Sequence, residues 1–201
     1  LSMNYVLFDT ESIQSLYPFT LTRSAAQIPT GLMTNAERLH MYTGTKPQIL
    51  SVGVLQELYE YTPSATATIY VNAALIIDEA FVTAMESMAL GTVLVDEHQQ
   101  ILTFKTDVII SDIKALYTLM HQSEKSTYSA TVPTLKHPWD IFSINGVNII
   151  SDFSTYTKDK TSQPIPEYVT VIGDPYQIFI EDGAKLMPCM LNSGEGPVYI
   201  G

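Results

Sequence analysis

Positive charge is scarce in this 201-residue chain: 10 Lys plus Arg stand against 21 Asp plus Glu, for a formal net charge of −11. A surface of that sign repels polyanions, so neither nucleic acid nor an anionic membrane is expected as a partner. Small anionic substrates stay open, because a phosphate needs only a few local donors. Cysteine is scarcer still. Cys189 is the only one, which excludes an internal disulfide and agrees with a reducing compartment, the cytoplasm by default. Long apolar runs are missing as well. None approaches the roughly 20 residues that cross a bilayer, and no basic-then-apolar leader opens the chain, so it reads as soluble. Leu1 and Ser2 precede the first methionine, Met3, and are read as an expression scar. Glycine, at 10, and proline, at 11, are too few for a low-complexity chain. With 46% hydrophobic and 15% charged residues, the composition is that of a globular protein. The length suits one domain, or one domain and the start of a second.

Local patterns predict alternating strands and helices. Asn4 to Phe8, Gln48 to Val52 and Thr68 to Val71 are short apolar runs of strand type. Thr34-Asn35-Ala36-Glu37 has capping-box spacing, with Gly44 beyond the end of a helix near 35 to 42. Val54 to Tyr61 is read as a second helix, and Asp78 as the cap of a third that runs to Met88. Thr92 to Val95 and Ile101 to Phe104, around a polar centre, read as a hairpin or a pair of adjacent strands. Asp112 to His121 carries helical spacing again, and Pro138 suits the first turn of a further helix. Alternation of this kind implies an α/β layered domain with a mostly parallel sheet. The polar stretch 154 to 166 reads as a linker. Beyond it, Ile180, Ala184, Leu186 and Met190 recur with the six-residue period of a parallel β-helix whose inward positions they would fill.

Four stretches in this order resemble the sugar-1-phosphate nucleotidyltransferases, in particular the bifunctional uridyltransferase/acetyltransferases and the glucose-1-phosphate thymidylyltransferases with a C-terminal β-helix. They are Tyr17 to Arg23 (YPFTLTR), Tyr70 to Ile76 (YVNAALI), His137 to Asn145 (HPWDIFSIN) and Gly196 to Gly201 (GPVYIG). The resemblance implies a Rossmann-like three-layer nucleotidyltransferase domain over 3–155, followed at 167–201 by the start of a left-handed β-helix. It implies transfer from a nucleoside triphosphate to a sugar-1-phosphate with release of pyrophosphate, assisted by Mg²⁺, and a homotrimer formed through the β-helix. Carried onto this chain, Phe8, Asp9 and Thr10 would line the nucleotide and Arg23 would stabilise charge on the transferred phosphate.

The chain departs from that pattern at the chemistry itself. Where the family has a glycine-rich phosphate loop, this chain reads Asp9 to Ser15 with no glycine and two carboxylates, Asp9 and Glu11, facing a triphosphate. The family's following lysine is absent, which leaves Arg23 as the nearby anion donor. Ala73-Ala74 stands where a Gly-Asp would supply a Mg²⁺ ligand. The alternative is therefore a catalytically inactive binding or regulatory domain on an acyltransferase-like β-helix, releasing little or no pyrophosphate. Asp9 also reads as a satisfier of backbone donors in the turn after the strand, and Trp139 as core packing. His40, His98, His121 and His137 are scattered, so no metal site is assigned from them.

Overall fold

The run Val6-Leu7-Phe8 is apolar on both sides of the pleat, and the fold buries both faces of the strand it forms, β1 (Asn4–Phe8). The computed structural model describes residues 3–201; the reading of Leu1 and Ser2 lies outside the described residues. After β1 come β2 (Pro29–Thr30), β3 (Met33–Thr34), α1 (Asn35–Thr43), β4 (Gln48–Leu50), β5 (Thr68–Asn72), α2 (Glu79–Ser87), β6 (Thr92–Val95) and β7 (Ile101–Thr106). Then follow α3 (Ile113–Gln122), β8 (Glu124–Thr127), α4 (Pro138–Thr157), β9 (Thr170–Ile172), β10 (Ile178–Ile180), β11 (Met190–Asn192) and β12 (Val198–Ile200).

Two compact units result. Of the described residues, one comprises 3–29 and 33–142, the other 30–32 and 143–201, so the chain passes from the first to the second inside α4. The expected linker differs in its first residues, because α4 stays helical through Thr157.

The first unit is an α/β domain of Rossmann-like type around a six-stranded mixed sheet ordered β4-β1-β5-β7-β6-β8. β1 pairs in parallel with β4 and β5, as expected, but β7 runs antiparallel to both β5 and β6. The short turn Asp96–Gln100 allows nothing else, since a parallel return needs a crossover of a dozen residues or more; Asp96 holds that turn by accepting the N–H groups of His98 and Gln100. Alternation along the strands sets the layers. Val6, Phe8, Tyr70 and Phe104 share a core with Leu116 and Met120 of α3, whereas Tyr5, of opposite parity, reaches Glu86 of α2. All five residues of β5 are buried, as a strand covered on both faces requires.

The caps expected at Thr34 and Asp78 form, and Asp112 supplies a third. Thr34 and Glu37 complete a capping box on α1, which ends at Gly44 in the left-handed conformation, φ 69°. Asp78 accepts the Phe81 N–H at 2.8 Å and Asp112 that of Ala115 at 2.8 Å. The helix expected at Val54 to Tyr61 is instead a 3-10 turn, Gly53–Leu58. Only Leu55 of that turn is buried, and Val54 is 78% exposed, so no apolar stripe anchors a longer helix.

The second unit carries two parallel strand pairs with one offset: Thr170 lies opposite Met190 and Ile178 opposite Val198, twenty residues on in each case. That spacing is one coil of a repeating chain path. The six-residue strip is corrected, however. Ile180 is buried, Ala184 and Leu186 are half-buried, and Met190 is 63% exposed. The residues inside are Val169, Ile178, Phe179 and Ile180, because a coil of twenty is not a multiple of six and the turn at Gly183 and Pro188 breaks the register. Cys189, beside Met190 in that strip, is exposed too.

Candidate functional site

β1 is the point where the sheet's connections diverge: the chain leaves it for β4 on one side and then returns to β5 on the other. Open α/β sheets place ligands in the crevice beyond the strand ends at such a point. A cavity of about 550 Å³ lies there, lined by Thr10, Glu11, Ser12 and Ser15 after β1, Asn72 at the end of β5, and Ile101 at the start of β7. Gln99 and Gln100 of the β6–β7 turn, Tyr117 and His121 of α3, and the stretch Thr134 to His137 complete the wall.

The loop after β1 is a 3-10 helix, Glu11–Leu16. Its Ile13 and Tyr17 N–H groups bond to the carbonyls of Thr10 and Gln14, so those amides are turned into the loop itself instead of being offered to a phosphate. Side-chain hydroxyls face the cavity in their place. The Thr10 and Ser12 hydroxyls lie 2.6 Å apart, and the Ser15 hydroxyl is shared between the Ser12 carbonyl at 2.7 Å and the Lys136 carbonyl at 2.5 Å.

The residues singled out in the sequence do not share one cavity. Phe8 is fully buried in the core. Asp9 is 1% exposed. Its carboxylate accepts the Ser51 hydroxyl at 2.5 Å, the Ser24 hydroxyl at 2.9 Å and the Ala25 N–H at 2.9 Å. Burial raises its pKa above the ordinary carboxylate value, and the three donors only partly offset that. Asp9 thus ties β1 to the end of β4 and to the turn at Ser24, as its reading as a turn satisfier anticipated. Thr10 lines the cavity. Arg23 is exposed and lines a separate groove of about 370 Å³ with Pro18, Phe19 and Ile141.

Lys136 was missed, and so were His121 and His137. Nothing local marks them; His121 comes from α3, and Lys136 and His137 reach the cavity because Pro133 to Leu135 bonds onto Ala74 to Ile76, the Ile76 N–H to the Pro133 carbonyl at 2.8 Å and the Leu135 N–H to the Ala74 carbonyl at 2.9 Å. Asp140 then accepts the N–H groups of Lys136 and His137, each at 2.8 Å. Trp139 corrects the core reading. It is 63% exposed and stacks on His137, centroids 4.6 Å apart and planes 6° from parallel.

The lining offers a Mg²⁺ ion no cage of its own and a single carboxylate, so such an ion would be held mainly by substrate phosphates. Magnesium is ordinarily held by one or two carboxylates together with substrate phosphates. Asp9 is committed to three donors, and the Asn72 amide donates to the Ile101 carbonyl at 3.1 Å while accepting the Ala74 N–H at 3.0 Å. Glu11 is the one carboxylate of the lining. Among the described residues no group of three or more His, Cys, Asp or Glu is placed to hold a metal.

Comparison with known proteins adds two findings. The family described as sugar nucleotidyl transferase matches residues 5–161. A Bacillus anthracis protein assigned as a glucose-1-phosphate thymidylyltransferase, solved with a sucrose, superposes with a TM-score of 0.42 at 8% identity, covering 73% of this chain and 95% of that one. Among curated proteins there is no match by sequence. No helix of the described residues is long and apolar enough to cross a membrane.

Proposed function

The chain belongs to the sugar nucleotidyl transferase family, and from that premise we propose that the cavity beyond β1 and β5 is where it binds a nucleoside triphosphate and a sugar-1-phosphate and joins them. A phosphate oxygen of the sugar-1-phosphate attacks the α-phosphorus, the bond to the β-phosphate oxygen breaks, and pyrophosphate leaves. The observation that carries this reading is the position of the cavity at the divergence of the sheet's connections, inside the residues that the family matches. A divalent ion would enter as part of a metal–nucleotide substrate.

The chain's own contribution is positioning and partial charge compensation. The hydroxyls of Thr10, Ser12 and Ser15 and the amides of Gln99 and Gln100 suit sugar or ribose hydroxyls. Turnover should be slow, since losing one preorganised donor to a developing charge costs roughly 10²–10³ in rate. The test is incubation with each nucleoside triphosphate, Mg²⁺ and a panel of sugar-1-phosphates. Slow pyrophosphate release matched mole for mole by a nucleotide sugar is expected.

A second reading, an inactive binding or regulatory domain, is favoured by the commitment of Asp9 and Asn72 to internal bonds. Absence of pyrophosphate in every combination would select it. For the second unit, the common offset of twenty residues supports the first coil of a left-handed β-helix from 167 onward, following a nucleotidyltransferase-like domain over 3–155. A homotrimer of a cytoplasmic protein goes with that proposal, and sedimentation of the purified chain tests it.

A further inference from the structure

We propose that the anion-binding group of the strand-end cavity is the segment Lys136–His137, and that it receives a sugar phosphate monoester without any divalent ion. The inference rests on the reading of the cavity as a substrate site. It names the group that replaces the missing phosphate loop and the part of the substrate it holds.

In a chain of net charge −11, Lys136 is the only lysine or arginine in the wall of this cavity, where it joins the imidazoles of His121 and His137 and the one wall carboxylate, Glu11; behind the wall the Asp140 carboxylate lies 3.7 Å from the His137 ring. The segment is also held rigid on three sides. The Ser15 hydroxyl bonds to the Lys136 carbonyl at 2.5 Å across 121 positions of sequence. Asp140 takes the N–H groups of Lys136 and His137, and the His137 ring is stacked on Trp139. Fixing the backbone of a binding group before the ligand arrives removes part of the ordering cost of binding.

The rest of the wall is neutral and rich in donors and acceptors: the Thr10 and Ser12 hydroxyls, the side chains of Gln99 and Gln100, and Tyr117. Burial raises the Tyr117 phenol to about 12, so it stays protonated. Its hydroxyl is buried near the Glu11 backbone without a well-formed hydrogen bond. A buried hydroxyl in that state is stabilised by a ligand oxygen. One cationic end and a polyol-sized polar wall match a hexose phosphate. A triphosphate without its divalent ion carries more negative charge than one lysine beside the Glu11 and Asp140 carboxylates can offset.

The experiment is titration calorimetry of the whole chain with glucose-1-phosphate, inorganic phosphate, glucose and UTP, each in EDTA and again in Mg²⁺. Glucose-1-phosphate should bind equally well in both buffers and more tightly than phosphate or glucose alone. Lys136→Gln should weaken it roughly tenfold or more, as loss of a charge-assisted hydrogen bond does, and Lys136→Arg should recover most of it. Circular dichroism of both variants should match the parent, since Lys136 is exposed. Unchanged affinity in Lys136→Gln, binding that appears only with Mg²⁺, or no binding of any probe overturns the inference. The two proposals fail separately. Pyrophosphate release unaffected by Lys136→Gln sinks this one and leaves transfer standing. Lys136-dependent binding of glucose-1-phosphate without pyrophosphate release does the reverse.

Discussion

The two units of this chain are held together in different ways. The first is organised by apolar volume: β5 has no half-exposed residue, and Phe8, Tyr70 and Phe104 meet the α3 side chains in a continuous core. The second has three-residue strands. β9 and β11 are exposed at both ends, and only β10 is buried throughout. Turn geometry and backbone pairing must therefore do there what packing does in the first unit. The Ser193 hydroxyl bonds to the Asp174 carbonyl at 2.7 Å, the Ser193 N–H to the Ile172 carbonyl at 2.8 Å, and the Tyr199 hydroxyl to Glu181. Phe179 and Tyr199 stack with centroids 5.4 Å apart. A sheet closed by helices tolerates plain loops, whereas a short coil depends on each turn.

That contrast can be broken from either side. The largest effect should come from Phe8→Ala, which empties a fully buried site and should cost about 3–5 kcal/mol in urea denaturation. A loss under about 1 kcal/mol would mean that the first unit does not depend on its core in the way argued.

Next is Gly173→Ala in the second unit. Gly173 has φ 91°, and a Cβ there would lie 2.7 Å from the Gly194 nitrogen and 2.8 Å from the Ser193 hydroxyl. Strain and collision together should cost about 1–3 kcal/mol, seen as faster hydrogen exchange in peptides covering β9 and β11. Gly183→Ala is the control, with φ 86° but open space around it; equal losses at the two positions would remove the role assigned to close backbone approach. Asp78→Ala tests a purely local term in the first unit and should lower stability by about 1 kcal/mol through the lost cap.

The smallest expected effect is a slope. Asp9 has a raised pKa because burial disfavours its charged form, so the native state binds its proton more tightly than the unfolded chain does. Stability from this group is then greatest at low pH and is lost as pH rises through the native pKa. Comparing the parent with Asp9→Asn at pH 7 and pH 5, the parent should gain relative to the variant on going to pH 5. The opposite change would show that the Ser51, Ser24 and Ala25 donors outweigh burial.

Much of the first unit was legible in the sequence. Each strand of β1, β4, β5, β6 and β7 is an apolar run bounded by polar or turn residues, and the caps at Thr34 and Asp78 act within four residues of chain. The antiparallel pairing of β7 with β6 was legible as one of two readings, a hairpin. The insertion of β7 beside β5 depends on which edge is free once β1 and β4 have paired. Around the cavity, Thr10 and the glycine-free loop could be read directly, as could the internal use of Asp9. Lys136 and His137 could not, because their place depends on a bridge between Leu75 and Thr134 that no pattern along the chain announces. Trp139 misled for a related reason: a large apolar side chain is usually buried, but the helix that carries it presents it beside His137.

By itself, then, the order of residues determined an α/β domain, where its strands and capped helices begin, and the loss of a glycine-rich loop after β1. These are short-range matters of period, hydrogen bonding and permitted backbone angle, and they act before distant segments meet. The tertiary structure alone decided which lysine stands at the cavity and how the second unit spaces its strands. Each of those depends on groups far apart in sequence being brought within hydrogen-bonding distance, and only the completed packing sets that distance.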